Sequence, residues 1–190
     1  MGNLTIANQL TILRIMLIPA FVLLLVYGYL GWSLLVFVFA GITDALDGLI
    51  ARRAGQRTNL GAWLDPMADK LLLLTTFVVL TIPVVPLTNH LPLWLTVSVI
   101  SRDVVIIGVV AIVNLAMGPR TFRPSIWGKM TTAAFILTSV AVMYFNYLGE
   151  TSIIVDLTIW LSFALTAISA ADYFLRLRLL INEPQPPASS

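Results

Sequence analysis

The chain has 190 residues, 59% of them hydrophobic and 11% charged, with a formal net charge of +2, one histidine and no cysteine. A soluble domain carries about a quarter charged residues, so this composition excludes an ordinary soluble fold and points to a membrane domain of apolar helices. Disulfides, thiolate metal sites and multi-histidine centres are excluded as well, and no basic run with interleaved aromatics points to nucleic acid.

Six apolar spans follow in chain order, near residues 11–28, 32–54, 59–82, 92–117, 126–148 and 152–178. Turn residues separate them: Gly28 and Gly31, the run from Gly55 to Asn59, Pro83 with Pro86, Gly118 and Pro119 with Pro124, and Gly149. No cleavable leader is expected, because no small-residue cleavage site follows a short apolar core near the N-terminus. Residues 1–181 are therefore expected to form a single all-α polytopic domain with six transmembrane helices. The tail 182–190, "NEPQPPASS", is expected to be disordered. The loops near 29–31, 83–91 and 149–151 carry no Lys or Arg. By the positive-inside rule both termini, and the second and fourth connections, then face the cytoplasm.

Four of the nine acidic residues fall in one segment at the second connection: Asp44, Asp47, Asp65 and Asp69. Asp44 and Asp47 are three apart near the end of span two, with Gly48 and Ala51 continuing that face. Gly61, Asp65 and Asp69 recur every four residues on span three. A short connection is expected to make the two spans antiparallel neighbours with their stripes facing. Four carboxylates together repel and are expensive in a membrane, so a cation is expected among them. Oxygen donors without His or Cys suit Mg²⁺ or Mn²⁺, with Ca²⁺ also open. The set suits two ions, or one ion and a spare carboxylate acting as base. Small residues and Arg52 beside such a centre fit phosphate or diphosphate. The plainer reading pairs Asp44 with Arg52 or Arg53 in interfacial salt bridges. Pro66 either kinks span three or marks a first helical turn.

The frame Asp44-x2-Asp47-Gly48-x2-Ala51-Arg52-x8-Gly61-x3-Asp65-x3-Asp69 resembles, without a mismatch, the signature of the CDP-alcohol phosphatidyltransferases. "NQLTILRIMLIP" is similar to the family's opening Asn-x2-Thr-x2-Arg segment, and "DPMADK" to its phosphatidylglycerophosphate-making branch. The resemblance implies transfer of a phosphatidyl group from CDP-diacylglycerol to an alcohol, with release of CMP, by a homodimer of the cytoplasmic membrane. Asp44, Asp47, Asp65 and Asp69 would hold the metal ions, with Asp69 the general base. Asp47, Gly48, Ala51, Arg52 and Gly61 would border the CDP group.

A second cationic group, Arg102, Arg120, Arg123 and Lys129, is the candidate acceptor pocket. The plainer reading pairs Arg102 with Asp103 or a metal-site aspartate and makes the other three interfacial anchors. Glycerol 3-phosphate is the acceptor favoured slightly. "SRDVV" and "RPSIWGKMTT" are similar instead to the cardiolipin synthases of the same family, whose acceptor is phosphatidylglycerol. A divalent cation transporter is the competing class, but such proteins place their charges near the midplane on broken helices.

Overall fold

The computed structural model describes residues 6–54, 59–83, 85–117 and 125–182; the side chains of residues 44–54, 59–67 and of Asp69 lie outside that description. Six helices are present among the described residues: α1 (Ile6–Val26), α2 (Leu30–Ala54), α3 (Asn59–Thr81), α4 (Leu93–Met117), α5 (Ile126–Leu148) and α6 (Ile153–Asn182). No strand occurs among the described residues. The helices match the predicted spans closely, except that α1 starts earlier and α6 runs later. Hydropathy marks where the apolar solvent ends, whereas the backbone ladder continues wherever its own bonds are satisfied. Asn182 therefore belongs to α6 rather than to the tail.

Four of the helices contain stretches long and apolar enough to cross a membrane: Gln9–Val26, Leu93–Val113, Ile126–Leu148 and Ile153–Arg176. Among the described residues α2 and α3 contribute the apolar stretches Leu30–Thr43 and Lys70–Thr81.

One end of the bundle is fixed by its turns. Gly28 and Gly149 take φ of 80° and 72°, a left-handed conformation that strains any residue with a Cβ. At the second of these, Gly149 N–H donates to Asn146 O and Glu150 N–H to Phe145 O, closing the last turn of α5. The α3–α4 loop is tied to this turn by Asn89. Its N–H donates to Asn146 Oδ1 at 2.7 Å, Asn146 Nδ2 donates back to Asn89 O at 2.9 Å, and Asn89 Nδ2 reaches Glu150 O at 2.7 Å. Exposed Tyr27, Tyr29, Trp32, Trp94, Tyr144 and Tyr147 gather at the same end, as an aromatic membrane-interface belt does.

The packing order is not the chain order. α1 packs against both α2 and α3, α5 against α6, α4 against α6, and α2 against α5. Over the described residues α1 packs on both α2 and α3; the expected facing of the α2 and α3 stripes falls on side chains outside the described residues. Phe21 of α1 meets Phe37 of α2 at 5.9 Å between ring centroids, and Phe77 of α3 meets Phe135 of α5 edge-on at 5.2 Å. The α5–α6 seam is lined with small polar side chains. Thr131 Oγ1 donates to Leu165 O, Thr138 Oγ1 to Thr158 O, and Thr138 shares a 2.8 Å bond with Ser162. In an apolar solvent such bonds add about 0.6 kcal/mol each and let the backbones approach closely.

Candidate functional site

Five positions of the aspartate frame, Asp44, Asp47, Gly48, Ala51 and Arg52, lie within α2, and Gly61, Asp65 and Asp69 lie within α3. Both helices run unbroken through the frame, so the spacings of three and four are true one-turn spacings. Pro66 stands beyond the first turn of α3. The frame's side chains, and the whole of Arg120 and Arg123, lie outside the described residues. As a donor set, four carboxylates on two helices with no His or Cys among them fit a hard divalent ion.

α1 carries a buried polar pair that sequence reasoning did not place among the site residues. Thr11 and Arg14, three residues apart, are both buried, with only 1% of Arg14 exposed. Neither lacks a partner. A buried guanidinium must be compensated, and α1 packs on the two helices that carry the aspartates. An Arg in the opening helix reads from sequence as an interfacial anchor, so its burial was not legible; the only signal was the Asn-x2-Thr-x2-Arg spacing.

Of the second cationic group, Arg102 stands in a described network between α4 and α6, and a separate network joins α5 to α6. Arg102 sits on α4 with 11% of its side chain exposed. Its Nη1 donates to Asp103 Oδ1 at 2.7 Å and its Nη2 to Ser169 Oγ on α6 at 2.6 Å. Its Cζ lies 5.9 Å from the Tyr173 ring centroid, within cation–π range. Lys70 of α3 reaches the other oxygen of Asp103 at 3.2 Å. Asp103 therefore takes one cation on each oxygen, and the pairing of Arg102 with Asp103 matches the plainer sequence reading. Gly128 leaves room for this arrangement, since a Cβ there would stand 3.4 Å from Arg102 Nη2.

In the second network Asp172 of α6 accepts from Ser125 Oγ and, at 2.9 Å, from Arg176 Nε. Ser125 is the N-cap of α5 but makes no capping bond, because its hydroxyl is directed to α6 instead. Lys129, in the first turn of α5, is exposed and makes no ion pair among the described residues. Ser125, Ser169, Asp172 and Tyr173 were not singled out from sequence, since small polar residues on an apolar helix carry no spacing signal.

The profile of the CDP-alcohol phosphatidyltransferase family matches residues 4–168, which takes in the aspartate frame, Arg14 and the α4 cluster. The chain belongs to the CDP-alcohol phosphatidyltransferase family. It is 31% identical over 179 residues to a Mycobacterium tuberculosis protein named "Probable phosphatidylglycerophosphate synthase", covering 90% of this chain and 80% of that one. It is 37% identical over 148 residues to the CDP-diacylglycerol–glycerol-3-phosphate 3-phosphatidyltransferase of Pseudomonas fluorescens, covering 74% and 72%. With the human cardiolipin synthase (CMP-forming) it shares 35% identity over 189 residues, covering 90% of this chain and 60% of that one. As a member of this family the chain is a phospholipid-synthesising phosphatidyltransferase, and these relatives are named for two products, phosphatidylglycerophosphate and cardiolipin.

Proposed function

We propose that this chain transfers the phosphatidyl group of CDP-diacylglycerol to phosphatidylglycerol, releasing CMP and forming cardiolipin. The observation that carries this choice is the charge balance of one cluster: Asp103 takes Arg102 on one oxygen and Lys70 on the other. Lys70, Arg102 and Asp103 together leave one net positive charge. That matches a phosphodiester monoanion better than the phosphomonoester dianion of glycerol 3-phosphate, which calls for more cationic charge. The slight preference drawn from sequence for glycerol 3-phosphate shifts accordingly.

In this reading the acceptor hydroxyl oxygen bonds to the lipid-side phosphorus, the bond from that phosphorus to the CMP oxygen breaks, and Asp69 takes the hydroxyl proton. Asp44, Asp47, Asp65 and Asp69 hold Mg²⁺ or Mn²⁺, two ions suiting the number of carboxylates. The bound ions neutralise charge on the diphosphate. Arg52 forks onto phosphate oxygens, while Gly48, Ala51 and Gly61 let the nucleotide approach the backbone. All six helices span the cytoplasmic membrane, with termini and site on the cytoplasmic side, and the protein is a homodimer. The lack of Lys and Arg in the three opposite loops supports that orientation.

Glycerol 3-phosphate is the second reading, supported by the mycobacterial and Pseudomonas relatives and by the exposed Lys129. The test is CMP release from CDP-diacylglycerol by purified protein with Mg²⁺ or Mn²⁺, with each acceptor in turn. Stimulation by phosphatidylglycerol alone is expected; stimulation by glycerol 3-phosphate alone selects the second reading. Metal-dependent release with neither acceptor would leave both readings without support.

A further inference from the structure

The polar cluster of Lys70, Asp103 and Arg102 lines part of a cleft of about 350 Å³ between α3, α4 and α5. The walls are apolar: Leu74 and Phe77 from α3, Val104 and Ile107 from α4, and Phe135 from α5. The cleft exists because α3 packs only lightly against α4 and α5, while α4 leans on α6. Leu74, Val104 and Ile107 are exposed on its flanks, so it opens toward the surrounding hydrocarbon.

We propose that this cleft seats one acyl chain of the anionic phospholipid acceptor, with its phosphodiester held by Lys70 and Arg102. This rests on the lipid-acceptor reading above. Three features of the cleft support the assignment. An apolar cleft open to a bilayer does not stay empty, because its lining would forfeit dispersion contacts that a lipid tail restores. Its volume lies at the lower end of the range for ligand pockets, about 300–1,000 Å³, as suits a single chain rather than a whole lipid. On its polar lining Asp103 holds both cations and leaves one positive charge. That charge is complementary to one phosphodiester.

The test uses full-length protein in phosphatidylcholine nanodiscs doped with phosphatidylglycerol carrying a diazirine in one acyl chain. After photolysis, label is expected on peptides containing Leu74, Val104 or Ile107. Ile107→Trp, which fills the cleft from its lipid-facing side, is expected to raise the KM for phosphatidylglycerol about ten-fold and to leave the KM for CDP-diacylglycerol unchanged. Leu157→Trp, on the exposed face of α6, is the control and is expected to change neither. Label spread evenly over all lipid-facing helices, with an unchanged KM in Ile107→Trp, would overturn the cleft assignment while leaving phosphatidylglycerol as acceptor. A wild-type protein that ignores phosphatidylglycerol and uses glycerol 3-phosphate would overturn the acceptor reading itself and the cleft assignment with it. The chain has no cysteine, so Ile107→Cys offers one thiol; efficient disulfide dimerisation through it in membranes, with no cleft labelling, would make a second copy the occupant instead.

Discussion

Arg102 Nη2 donates to Ser169 Oγ at 2.6 Å, tying the middle of α4 to α6 across 67 positions of sequence. Ser169 is fully buried, so this bond fixes the guanidinium away from water and presents a single geometry to whatever binds beside it. In a low-dielectric setting a charged hydrogen bond of this kind is worth about 1.5–3 kcal/mol. Ser169→Ala is therefore expected to lower thermal stability in detergent and to raise the KM for the acceptor, with the KM for CDP-diacylglycerol unchanged. Ser169→Thr keeps the hydroxyl and should restore the acceptor KM. A loss shared equally by both substrates would mean that Ser169 is structural only.

The aspartate frame makes a sharper claim. Asp47→Asn or Asp65→Asn removes one anionic ligand while keeping the side chain's size, so each variant should insert normally and yet release CMP only at background. Chelation of wild-type protein should do the same, with Mg²⁺ or Mn²⁺ restoring activity. Near-normal turnover by either variant would sink the metal-site assignment.

At the opposite end, Asn89 and Asn146 exchange two hydrogen bonds between a loop and a helix end. Asn146→Ala leaves the backbone N–H and C=O of Asn89 without these partners, at a cost of about 2 kcal/mol or more. The melting temperature should fall by about 5 °C, while activity measured well below it is retained. Asn146→Asp keeps the acceptor and loses the donor, so its melting temperature should fall between the two.

Ser125 and Asp172 link the start of α5 to α6, and the same carboxylate holds Arg176. Because the Ser125 hydroxyl does not cap α5, Ser125→Ala should act through Asp172 rather than through helix capping. A double-mutant cycle of Ser125→Ala and Asp172→Ala in detergent unfolding should give a coupling of about 1–2 kcal/mol. Additive losses would show that the two side chains do not stabilise each other.

Hydropathy and glycine or proline punctuation located all six helices, because an apolar solvent forces every backbone group into a helix and the apolar run lengths then mark the elements. The eight-position frame from Asp44 to Asp69 likewise announced the family, since eight fixed residue types at fixed spacings form a signature independent of packing. What lay beyond the sequence was which helices meet. Hydrophobic periodicity carries almost no facing information in a chain that is apolar on every side, so nothing in it signalled that α1 packs on both α2 and α3 or that α6 anchors Arg102. The burial of Arg14, the tie from Ser125 to Asp172 and the cleft beside Lys70 were decided by helix–helix packing alone. A charge or a serine on a helix acquires its role from the neighbour that packing brings to it.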